Sequence, residues 1–133
     1  MAKLNFNVTA QVVDGPKFTV GAQNWDVEAY DRVDSDIQPP VPPATSADTT
    51  VQVAPGVTAG LVALLVVYAD SYDPPLAYKA KAAATAAPLD RPLVLWGANA
   101  VKLLEEKLES ITFTNTDTKK NTVHILVARD ATP

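Results

Sequence analysis

Apolar and polar residues alternate cleanly through residues 4–12. Leu4, Phe6, Val8, Ala10 and Val12 share one parity; Asn5, Asn7, Thr9 and Gln11 share the other. A period of two belongs to a strand with one buried and one solvated face. Asp14-Gly15 comes next, the preferred pair for a tight type I′ hairpin turn. Residues 17–20 return, with Phe18 and Val20 predicted to point inward. Pro16 has no amide hydrogen to give to a ladder, so it belongs at the first residue of the return strand or on an edge. A third short strand is predicted over 24–30, where Trp25, Val27 and Ala29 alternate with Asp26, Glu28 and Tyr30.

The pattern changes at residues 57–69, VTAGLVALLVVYA. From Leu61 to Ala69 every residue is apolar or aromatic. Pro55 and Gly56 precede the run, and Asp70, Asp73, Pro74 and Pro75 come after it, so turns bound it on both sides. With no polar residue at either parity, the run reads as a central strand buried on both faces. Val62, Leu64, Val66 and Tyr68 would lie on one face and Leu61, Ala63, Leu65 and Val67 on the other. A short buried helix is the alternative. A membrane span needs roughly 20 apolar residues. The uncharged stretch 49–69 reaches that length only by counting Thr49, Thr50, Gln52, Pro55 and Gly56, and no Lys or Arg flanks it. No membrane partner is expected.

Further strands are predicted over 50–53 and 93–96. Residues 76–87 suit strand and helix equally: Leu76, Tyr78, Ala80 and Ala82 alternate, but KAKAAATAA has high helix propensity. Residues 98–109 predict a helix with Val101, Leu104 and Leu108 on one stripe and Leu103 off it; a β reading of the second half competes. Residues 110–115 and 122–128 alternate again, with Ile111 and Phe113, then Val123, Ile125 and Val127, on their apolar faces. The polar stretch 115–121 between them predicts a C-terminal hairpin. Seven or eight short strands in one domain, residues 1–133, read as mainly β: an antiparallel β-sandwich, jelly-roll-like, with at most one or two short helices.

Composition narrows the function classes. The absence of cysteine removes disulfides, thiol catalysis and Cys-based metal sites. A net charge of −4 argues against nucleic acid as a partner. That charge is uneven: residues 1–75 hold nine acids and three bases, a net of −6, and residues 76–133 six acids and eight bases, a net of +2. Opposed halves of this kind suit contact between copies. The N-terminal MAKLNFNVTA has no apolar core, so no secretory signal is expected. Eleven prolines stiffen the connections. The run Pro39, Pro40, Val41, Pro42 and Pro43 lies in a segment, 34–48, predicted as an extended loop or arm with polyproline character. It spans the gap between two sheets, serves as a Pro-rich ligand for a partner, or packs on a neighbouring subunit. These five residues are the candidate interface.

Catalytic chemistry has little to stand on. The single histidine, His124, shares a parity with Leu126 and Ala128, and one His without Cys makes no His-rich zinc site. No nucleophile elbow, phosphate loop or dinucleotide fingerprint occurs. No catalytic residue, metal ligand or cofactor is expected. The acids Asp26, Glu28, Asp31, Asp34 and Asp36 are dense enough to raise calcium, but no Ca²⁺-loop spacing is present, and they read as a solvated edge. Trp25, Tyr30, Tyr72 and Trp96 are stacking candidates if the domain binds carbohydrate; core packing is the plainer use for the tryptophans.

Residues 93–129 pair a Pro-flanked LVLWG with ITFTN…TVHILVARD. This portion resembles the C-terminal part of small β-sandwich virion proteins of tailed bacteriophages, of the capsid-decoration or tail-associated type. The resemblance implies a non-enzymatic structural protein that self-associates or coats a larger assembly, located in the virion. It transfers no individual site residues. A ligand-binding module of the carbohydrate-binding type is the alternative. If the acidic segment is a solvated edge, millimolar calcium should leave the melting temperature unchanged. A bound ion at a hundred times its dissociation constant would add about 2.7 kcal/mol, an upward shift that a chelator would reverse.

Overall fold

The structure, a computed structural model, describes residues 2–27, 29–53, 62–81, 85–105 and 108–129. In chain order the strands are β1 (Ala2–Gln11), β2 (Lys17–Val27), β3 (Ala29–Ile37), β4 (Ala47–Gln52), β5 (Val62–Ala69), β6 (Leu76–Ala80), β7 (Ala87–Leu89), β8 (Leu93–Trp96), β9 (Ser110–Asn115) and β10 (Asn121–Arg129). One helix, α1 (Ala98–Leu104), lies between β8 and β9. Strands β3 to β10 form two four-stranded antiparallel sheets, ordered β3-β10-β5-β8 and β4-β9-β6-β7. From β3 onward the chain changes sheet at every connection except β6 to β7. This is a jelly roll, two packed sheets whose sequential strands wind around a common core. Strands β1 and β2 form a separate antiparallel hairpin in front of it.

Alternation builds the core. Ile37 from β3, Leu65 and Val67 from β5, and Val123, Ile125 and Val127 from β10 line the inner side of one sheet. Val51, Leu76, Ala80, Leu89, Ile111 and Phe113 line the other. Phe113, fully buried, is the largest of these side chains. Helix α1 buries Val101 and half-buries Leu104, and Leu103 is 87% exposed, as its place off the stripe predicts. The helix ends at Leu104, earlier than expected, and Leu108 reaches the core from beyond it.

β5 is the interior strand that its apolar run predicts, but its faces are unequal. A bulge opposite Ala128 and Arg129 turns Val62 to the main core with Leu65 and Val67, instead of leaving it with Leu64. Leu64 and Val66 lie on the outer face, and Tyr68 beside them is 42% exposed. Residues 54–61, including Leu61, lie outside the described residues, as does Glu28.

Several expectations are corrected. β9 and β10 do not form a hairpin: β9 pairs with β4 and β6, and β10 pairs with β3 and β5. Each carries a buried inner face and each is central to its sheet, so the connection crosses the sandwich. Asn115, buried at the corner, donates to the carbonyls of Ile37 (3.2 Å) and Lys119 (2.9 Å) and accepts from the amide of Asp117 (2.9 Å). Residues 17–27 are one strand, not two. A bulge opposite Asn5 absorbs the irregularity, and the Asn5 side chain accepts from the amide of Asn24 (2.8 Å). Gly21 permits it, since a Cβ there would stand 2.1 Å from the Phe6 carbonyl oxygen. The hairpin turn is longer than two residues: Ala10 pairs Phe18, Gln11 pairs Lys17, and Asp14 alone takes a left-handed φ of 59°. Asp31, Asp34 and Asp36 lie on strand β3, so the Pro-rich connection covers 38–46 and not 34–48, and it turns against the expected extended polyproline run: the Ala44 amide donates to the Val41 carbonyl (3.0 Å). Residues 76–80 and 87–89 are strands, and edge strand β7 accommodates Pro88. Among the described residues no helix is long and apolar enough to cross a membrane.

Truncating Phe113 to alanine should cost about 3–5 kcal/mol, the range for an aromatic side chain in a packed core. Urea unfolding followed by far-ultraviolet circular dichroism reads this directly. A midpoint unchanged from the parent would contradict the placement of Phe113 at the centre of the core.

Candidate functional site

Cross-strand partners share a face, so the outer side of the β3-β10-β5-β8 sheet is read as rows. The first row is Tyr30, Ala128, Leu64 and Trp96. The second is Arg32, Leu126, Val66 and Val94, and the third begins Asp34, His124, Tyr68. The face therefore grades from apolar at one end of the sandwich to polar at the other.

The β1–β2 hairpin covers the apolar end. Leu4, Phe6 and Trp25 pack with Leu64, Ala128, Val66, Leu126 and Trp96 in a second, smaller cluster outside the main core. The rings of Phe6 and Trp96 meet edge to face at 5.1 Å, and those of Trp25 and Trp96 at 6.4 Å. Such pairs contribute about 0.5–1.5 kcal/mol each beyond the area they bury. A single residue separates β2 from β3, and β3 and β8 are opposite edges of the sheet. A hairpin that starts beside β3 and reaches Trp96 on β8 has crossed the whole face. Its distal half is exposed. Val8 is 44% exposed, Val12 64%, Phe18 67% and Val20 54%, although their parity is that of Leu4 and Phe6. Phe18 and Val20 thus point to solvent, against the expectation that they face inward. The alternation was legible; that the distal half stays exposed was not.

At the other end of the face, His124 is held between two carboxylates. Its Nδ1 lies 2.6 Å from Asp34 Oδ1 and its Nε2 2.8 Å from Asp70 Oδ1. The imidazole stacks on the Tyr68 ring at 4.7 Å and 24°. Arg32 Nε lies 3.3 Å from Asp34 Oδ2. Arg32, Val66, Tyr68, His124, Ile125 and Leu126 line a shallow depression of about 240 Å³. Hydrogen bonds donated by the imidazole to Asp34 and then Asp70 hold the His124 pKa above its ordinary 6.5, against the opposing effect of burial. The hydrogen bond with His124, helped by the Arg32 charge, holds Asp34 below its ordinary 3.8. Both imidazole nitrogens face carboxylates on opposite sides, so the donors do not converge on a point. Among the described residues no cluster of His, Asp and Glu has metal-holding geometry. Sequence alternation placed His124 on the right face. The two acids that bracket it lie 90 and 54 positions away, a juxtaposition only the sheet register makes.

The remaining predicted residues are dispersed. Pro39, Pro40, Val41, Pro42 and Pro43 lie in the β3–β4 connection, which passes from one sheet to the other at the end of the sandwich away from the hairpin. Val41 is 79% exposed there. Of the stacking candidates, Trp25 and Trp96 face each other in the hairpin seat, Tyr72 packs on the main core with its hydroxyl accepting from the Ala69 amide (3.2 Å), and Tyr30 is exposed on the first row. They form no common platform. The described acids of the 26–36 segment each meet a partner: Asp26 meets Lys3 (2.8 Å), Asp31 meets Arg129 (2.5 Å), and Asp36 meets Thr122 (2.8 Å) and Lys120 (3.5 Å). In comparisons with known proteins, no family model, curated protein or solved structure matches the chain.

The bracket around His124 has a defined pH signature. A raised histidine pKa contributes stability that is fully present below about 6.5 and is lost as pH rises through the folded value. A lowered aspartate pKa contributes stability present above about 3.8 and lost as pH falls through the folded value. The bracket therefore stabilises most between these two ordinary values. Raising the pH from about 6 to 9 should lower the melting temperature of the parent more than that of His124→Gln, which has no proton to lose there. Parallel profiles for the two proteins would remove the bracket from the stability of the fold.

Proposed function

We propose that the chain is a non-enzymatic structural subunit that works by protein–protein contact, self-associating or coating a larger assembly, with a phage virion as its setting. One observation carries this reading. An amphipathic hairpin leaves Val8, Val12, Phe18 and Val20 in water. A contiguous apolar patch of this kind on a folded domain marks an interaction surface. Both hairpin strands also leave one edge unpaired, which adds main-chain donors and acceptors to the same arm.

Two further features support it. The jelly roll is an architecture that capsid domains use, although fold alone does not assign function. The Pro-rich connection, which turns at 41–44 and leaves Val41 exposed, offers a second contact at the opposite end of the body. The carbohydrate-binding alternative is less supported, because Trp25 on the hairpin and Trp96 on β8 are engaged with each other.

The test is the mass of the chain in solution. Light scattering coupled to size exclusion should show an oligomer for the parent protein. Phe18→Asp combined with Val20→Asp should shift it to monomer. Both residues are solvent-exposed, so stability should stay within about 0.5 kcal/mol and the far-ultraviolet spectrum should remain β-like. A parent chain that stays monomeric at the highest attainable concentration would overturn self-association.

A further inference from the structure

The hairpin tip and the sheet its base packs on are two halves of one interface, each left incomplete within a single chain. The hairpin's apolar face already fits the outer face of the β3-β10-β5-β8 sheet: Leu4, Phe6 and Trp25 pack on Leu64 and Ala128, which are 1% and 0% exposed. The same hairpin face continues towards the tip as Val8, Phe18 and Val20, with Val12 in the turn beyond them, all four exposed. The same sheet face continues along the strands as Val94, 40% exposed, and Tyr68, 42% exposed, whose ring stacks on His124. Both exposed surfaces extend from a single seat.

We infer that a second copy of this chain supplies the cover for both, by reciprocal exchange of hairpin tips across the β8 edges. The tip of one copy lies over Val66, Val94 and Tyr68 of the other. A two-fold axis makes each tip meet the other's sheet, so one isologous contact removes both apolar surfaces from water at once. The tip presents to the partner the same kind of strand face that its own base presents at home, with valine and phenylalanine against valine and an aromatic ring. The charged groups facing this surface, Arg32, Asp34, Asp70 and His124, are already engaged with one another and form a polar rim beside it. This inference rests on the self-association proposed above and names the partner and the surface.

The chain contains no cysteine, so introduced thiols report unambiguously. Phe18→Cys and Val94→Cys are made in separately tagged full-length chains, mixed, and treated with a short bismaleimide. The expected result is a covalent species of twice the chain mass carrying both tags, lost when Val20→Asp is added to the Phe18→Cys chain. Val94→Asp alone should also shift the parent mass to that of a monomer, with an unchanged melting profile. An oligomer that survives while only the Phe18→Cys chains couple to each other, or while no coupling occurs, would overturn tip exchange and leave self-association standing. A parent chain that is monomeric throughout would overturn both.

Discussion

A strand that is apolar at both parities cannot sit comfortably in a two-layer sandwich. Each sheet of such a sandwich has one side on the core and one side in water. β5 breaks that rule: Leu65 and Val67 fill the core, while Leu64, Val66 and Tyr68 face out. β10 adds Leu126 and Ala128, and β8 adds Val94 and Trp96, to the same outer side. The molecule needs a third layer over this face, and the N-terminal hairpin is that layer at one end. Its position, its aromatic base and its crossing of the sheet result from the need to keep Leu64 and Ala128 dry. The cover is partial: Val94 and Tyr68 on the same face stay 40% and 42% exposed.

The uncovered end of the face is protected differently. There the rows turn polar, and His124 sits between Asp34 and Asp70 with Tyr68 stacked on its ring. A half-exposed tyrosine beside a charged bracket tolerates water where a leucine would not. Arg32 links the bracket to the apolar row beside it. Apolar seat, half-exposed apolar rows and polar margin thus succeed one another along a single sheet face.

The two ends of the sandwich differ in kind. At the hairpin end, Arg129 and Asp31 form a partly buried ion pair where β3 and β10 meet. At the other end, asparagine side chains do the work of backbone. Asn115 ties the β9–β10 connection to the end of β3, and Asn121 donates to the Ser71 carbonyl (2.8 Å) and accepts from the Ser71 amide (3.3 Å). A buried amide that finds its partners rigidifies the loops it joins, and these loops connect strands of opposite sheets. The crossings on which the jelly roll depends are held by polar groups as much as by the core.

The sequence by itself determined the class of the fold. Period-two alternation in 4–12, 110–115 and 122–128 and the doubly apolar 62–69 run are local properties of the chain, and local periodicity was enough to place strands and assign their faces. It also put His124 on the face of Leu126 and Ala128. Tertiary structure alone decided which strands are neighbours. The polar stretch between β9 and β10 suits a hairpin as well as a crossover, and only the demand that both strands be central to different sheets chose the crossover. The bulge that turned Val62 inward, the joining of Asp34 and Asp70 to His124, and the exposure of the hairpin tip are likewise absent from any short window of sequence. Each depends on register between segments tens of residues apart, and register is set by the total burial of the sheet, a quantity that no single strand carries.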